Sequence, residues 1–72
     1  MIINVGTPSN HRQIEVTPET VSVADLGLSG RVTLNGIELL NSGQTVRQAI
    51  TATGAEAPYY FLSIKKQSNG SK

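Results

Sequence analysis

Residues 32–39 read Val32-Thr33-Leu34-Asn35-Gly36-Ile37-Glu38-Leu39. Asn and Gly both accept positive φ, so Asn35-Gly36 suits a two-residue type I′ turn, whose twist matches that of its flanking strands. With that turn, Leu34 faces Ile37, Val32 faces Leu39 and Thr33 faces Glu38. Both apolar pairs then fall on one side of the hairpin and the polar pair on the other. Turn chemistry and side-chain pattern agree, and the rest of the chain is read outward from this hairpin.

Upstream, Met1 to Thr7 is apolar and β-branched, a strand. Pro8-Ser9-Asn10-His11 gathers turn formers, and Arg12 to Val16 alternates, with Ile14 and Val16 on one face and Gln13 and Glu15 on the other. These segments predict a first hairpin with a four-residue loop. Thr17-Pro18-Glu19 is a helix-start signal, and Gly27 suits a left-handed helix cap. The intervening Thr20-Val21-Ser22-Val23 is β-branched and poor in helix propensity. One or two helical turns are expected there, with an extended segment as the alternative.

Downstream, Asn41-Ser42-Gly43-Gln44 offers a second helix start, with Asn41 or Ser42 as cap. Val46, Ala49, Ile50 and Thr53 follow i, i+3, i+4, i+7, and Gly54 is a natural stop. Pro58 marks the loop exit, and Tyr59 to Lys66 reads as a closing strand. The expected order is β-β-α-β-β-α-β, an α+β fold with a mixed sheet packed on one or two short helices. Residues 1–66 form one compact domain in this reading, and 67–72 a flexible polar tail.

The 72 residues are 38% hydrophobic and 15% charged, with no cysteine and a formal charge of +1. A chain this short supplies about 3–5 kcal/mol from its own core, and an enclosed pocket of about 300 Å³ or more is hard to build within it. Lack of cysteine removes disulfide scaffolds, zinc ribbons and thiol chemistry. The near-neutral balance does not favour phosphate backbones. No stretch reaches the roughly 20 apolar residues of a membrane span, and Met1-Ile2-Ile3-Asn4-Val5-Gly6 lacks the pattern of a signal peptide. A cytoplasmic protein with no membrane contact is expected.

Arg31 to Leu39, followed by Ser42-Gly43-Gln44-Thr45-Val46, resembles the middle hairpin and following turn of the ubiquitin-like β-grasp superfamily, in which a mixed sheet wraps a helix. In another register, residues 32 to 53 are similar to the opening of its sulfur-carrier branch. The resemblance covers at most half the chain. The family's carrier members need a terminal Gly-Gly, whereas this sequence ends Asn69-Gly70-Ser71-Lys72. The outer-face recognition patch of the middle hairpin would fall near Thr33, which is polar. Neither carrier chemistry nor that binding mode is therefore expected, and a shared fold alone assigns no function.

His11, the one histidine, reads as an exposed turn residue. One His and five scattered carboxylates give no metal spacing, and the glycines form no phosphate-binding loop. No cofactor, metal or catalytic residue is expected, and the chain is read as a non-enzyme. The closing strand carries the distinctive chemistry. With Tyr60, Leu62 and Ile64 turned inward, Tyr59, Phe61, Ser63 and Lys65 lie outward, followed by Lys66. Aromatic rings on an open face anchor protein interfaces or, beside cations, stack nucleic-acid bases. The leading expectation is a small module that binds and modulates, for instance as an inhibitor, a larger protein partner through Tyr59, Phe61, Lys65, Lys66 and Arg47. A nucleic-acid-binding regulator and a self-associating structural subunit, such as a homodimer, are the alternatives.

Overall fold

The central hairpin forms in the expected register: β3 (Arg31–Leu34) and β4 (Ile37–Leu39) pair Val32 with Leu39, Thr33 with Glu38 and Leu34 with Ile37. Asn35 and Gly36 sit at φ 51° and 88°, as a type I′ turn requires. This is seen in a computed structural model that describes residues 1–28 and 30–64. The remaining elements are β1 (Ile2–Thr7), β2 (Asn10–Glu15), a 3₁₀ turn at Ala24–Leu26, α1 (Val46–Thr53) and β5 (Tyr60–Ile64). Lys65, Lys66 and the polar tail lie outside the described residues.

The five strands make one mixed sheet in the order β2-β1-β5-β3-β4. β1 and β5 run parallel, and the other neighbours are antiparallel. An α+β class therefore holds, with one helix instead of two and the order ββββαβ. The first hairpin is tighter than the turn formers suggested: pairing extends to Thr7 and Asn10, leaving a loop of Pro8 and Ser9.

In place of a continuous first helix there is a connector with two short turns, one closed by Val21 N–H donating to Thr17 O at 3.0 Å and the other the 3₁₀ turn at Ala24–Leu26, joined through Ser22. Val21 and Val23 flank Ser22, which forms an isolated antiparallel bridge with Thr45, and Val23 already turns into αR geometry at φ −59°, ψ −37°. Val23 N–H donates to Gln44 O, Ala24 N–H to Ser42 O and Val46 N–H to Val21 O, each at 2.9 Å. These bonds strap the connector to the entrance of α1, so tertiary pairing satisfies backbone groups that helix bonds would have satisfied. Gly27 does adopt the left-handed cap at φ 73°, but it closes only the 3₁₀ turn.

α1 begins one turn later than its expected cap. Thr45 Oγ1 accepts from Gln48 N–H at 3.1 Å and Gln48 Oε1 accepts from Thr45 N–H at 2.9 Å, a reciprocal capping box. Its buried stripe is Val46, Ala49 and Ile50, as the spacing predicts, and Gly54 ends it at φ 70°.

Alternation assigns every strand residue to a face. Val5, Phe61 and Leu34 are register partners across three strands and point to the side covered by α1 and the connector. They form one core with Ile3, Val23, Val32, Val46, Ala49 and Ile50. Phe61 is 0% exposed. The facing of the closing strand is thus the reverse of the expectation: Phe61 lies inside, and Tyr60, Leu62 and Ile64 lie on the other face.

Candidate functional site

Of the residues expected to form a docking site, the three that are described, Tyr59, Phe61 and Arg47, do not make one exposed patch. Phe61 is the largest fully buried side chain of the core and is unavailable to a partner. Tyr59 shares its face and packs half-buried against the same cluster, while its carbonyl accepts from Asn4 N–H at 2.8 Å and Asn4 Nδ2 at 3.2 Å. Arg47 sits on the exposed side of α1, where its Nη2 lies 3.2 Å from Glu19 Oε2. That helix packs on the covered face, so Arg47 is separated by the sheet from anything on the opposite face. Lys65 and Lys66 fall outside the described residues.

The opposite face carries a different set. From β5 come Tyr60 and Leu62, both half-buried, and Ile64 at 39% exposed; Ile2 of β1 extends the set at 52%. None of these four belongs to the core or packs against it. Among the described residues no helix lies over them. Their flanking positions are small or polar: Leu62 pairs with Gly6 on one side and Thr33 on the other, and Tyr60 pairs with Asn4. The result is a low apolar ridge along the middle strand, bordered by shallower ground.

Polar groups bound this ridge. His11 meets Tyr60 edge to face, with ring centroids 5.5 Å apart at 89°. Its Nδ1 lies 3.2 Å from Thr7 O. Beside Ile64, Arg31 Nε lies 3.4 Å from Glu38 Oε2. Both members of that pair are largely solvated, so it shapes the rim more than it stabilises the fold. The surface thus has an apolar centre and a rim of polar and charge-paired groups.

Two concavities lie away from the ridge. One, on the outer side of α1, is bordered by Asn41, Gln44, Arg47, Gln48, Thr51 and Ala52. The other opens between the first hairpin and the 3₁₀ turn. Among the described residues no three His, Asp or Glu side chains cluster as metal ligands would, and no helix is long and apolar enough to cross a membrane.

The closing strand forms where the sequence places it, but its facing is inverted. Tyr60, Leu62 and Ile64 alternate as regularly as Tyr59 and Phe61, so periodicity alone could not choose between the two faces. The signal that could have chosen is cross-strand: placing Phe61 beside Val5 and Leu34 makes a continuous apolar row, whereas Leu62 falls beside Gly6 and Thr33. No family model, curated protein or solved structure matches the chain.

Proposed function

We propose that this chain is a non-catalytic protein-interaction module, a β-grasp-like domain that binds and modulates a larger protein through the open face of its sheet. The observation that carries the reading is the Tyr60, Leu62 and Ile64 ridge, extended by Ile2 and lying outside the core on a face that no helix of the described residues covers. Apolar ground of this kind costs solubility unless something covers it for part of its working life. The β-grasp element is supported by the mixed five-stranded sheet with a helix on one face; the absent first helix departs from that family's pattern. The partner presents a complementary apolar patch, with Tyr60 as the anchoring ring.

Photo-crosslinking tests the assignment. With p-benzoylphenylalanine at position 62, lysate of the source cell should yield one discrete conjugate, suppressed by excess unlabelled chain. The same probe at Thr51, on the exposed side of α1, should yield none. Equal labelling at both positions, or none at 62, rejects the docking face. A conjugate at twice the chain's own mass assigns the face to self-association, and conjugates that disappear on nuclease treatment assign it to nucleic acid. Either outcome replaces the proposed partner class.

A further inference from the structure

The cleft between the first hairpin and the 3₁₀ turn has a volume of about 250 Å³ and is bordered by Val5, Gly6, Asn10, Arg12, Leu26 and Leu28, among others. Arg12 pairs with Val5, whose side chain is buried on the covered side of the sheet, so Arg12 projects to that side as well. Asn10 lies two residues away on β2 and shares the direction. His11 turns its ring the other way, held at Thr7 O and Tyr60. The cleft therefore has apolar walls from Leu26, Leu28 and Val5 and a polar lip from Arg12 and Asn10.

Arg12 is unlike the other cations described. The N-terminal ammonium lies 3.7 Å from Glu15, Arg31 pairs with Glu38 and Arg47 with Glu19. Among the described residues Arg12 has no acidic partner, and the Asn10 side-chain amide makes no hydrogen bond. Among the described residues no carboxylate borders the cleft to neutralise it. A guanidinium is a planar fork that matches a carboxylate with two parallel N–H···O bonds. The amide adds one further donor, and the leucines offer dry contact to a short hydrocarbon body.

We infer that this cleft binds a carboxylate carrying a small branched apolar group, with Arg12 and Asn10 on the carboxylate and Leu26 and Leu28 on the hydrocarbon. Its volume is below that of sites for drug-sized ligands, so the occupant is compact. The same chemistry comes from two sources: a free short-chain acid, or the C-terminal carboxylate of a chain ending in leucine or a similar residue. This site is on the opposite side of the sheet from the ridge and does not depend on it.

Titration of the ¹⁵N-labelled full chain, followed by amide chemical shifts, tests the inference. The probes are 4-methylpentanoate, acetyl-Gly-Gly-Leu with a free carboxylate, and the amide of each. Saturable shifts are expected at residues 10–12 and 26–28 with the carboxylates and not with the amides. Arg12→Gln should weaken binding about tenfold or more while leaving the other resonances in place. A response to the free acid alone identifies a small-molecule ligand, and a tighter response to the tripeptide identifies a chain terminus; both uphold the cleft. No saturable shift at these positions up to about 10 mM, equal binding of the amides, or undiminished binding by Arg12→Gln overturns it.

Discussion

Asn35 adopts φ 51° and uses both ends of its amide across the molecule: Nδ2 donates to Glu56 O at 2.9 Å, and Oδ1 accepts from Tyr60 N–H at 2.8 Å. It thus holds the central hairpin to the start of β5 as well as forming the turn. The two roles separate by substitution. Asn35→Gly keeps the left-handed backbone and loses both bonds, an expected cost of about 1–3 kcal/mol. Asn35→Ala loses the bonds and adds the left-handed penalty, about 1–2 kcal/mol more. Urea denaturation should therefore rank the wild type above Asn35→Gly and Asn35→Ala last; equal stability of all three would show that the clip contributes nothing. Gly6 is a sterner case. At φ 144°, a Cβ there would lie 2.4 Å from Asn10 O and 2.7 Å from His11 Cα. Both obstacles are backbone, so Gly6→Ala should cost about 2–4 kcal/mol, most of what a core this small provides, and thermal melting should show it largely unfolded.

Among the elements, α1 and the central hairpin were legible because several local signals coincide there. Asn35-Gly36 and the flanking alternation require the same register; the Val46, Ala49 and Ile50 spacing and Gly54 require the same helix. The cap was missed because Asn41, Ser42 and Thr45 are all competent, and only the Gln48 side chain reaching back to the Thr45 N–H distinguishes the last. Removing that box with Thr45→Ala should cost about 1 kcal/mol, whereas Ser42→Ala should cost little; comparable losses in chemical denaturation would deny the box its role. The residue 17–27 segment was not legible for a different reason. Its start and stop signals are helical and its interior is β-branched, so propensity is divided. The backbone bonds to the α1 entrance, whose partners lie 18 to 25 residues away in sequence, hold Val21 to Ala24 and leave only short turns on either side. Facing in β5 was equally non-local. Two alternating apolar sets occupy one strand, and only its neighbours β1 and β3 determine which set enters the core.

At the scale of the whole molecule the sheet divides two tasks between its faces, and this division makes a contrast that neither face shows alone. Phe61 is completely enclosed beneath α1, and Phe61→Ala should cost about 3–5 kcal/mol, enough to leave little folded protein. Leu62 is its immediate neighbour in sequence but lies on the open ridge. Leu62→Thr together with Ile64→Thr puts strand-favouring β-branched residues at both positions and should change stability by only about 1 kcal/mol. If the ridge is the docking face, this double variant melts close to the wild type yet loses the position-62 partner when it competes in the crosslinking assay. An apolar contact should also persist as salt is raised, because few charges are neutralised on forming it, whereas a phosphate-binding surface would weaken steeply. A double variant that competes as well as wild type, while remaining folded, would leave the ridge without a partner. A Phe61→Ala protein as stable as the double variant would contradict the facing of β5 itself.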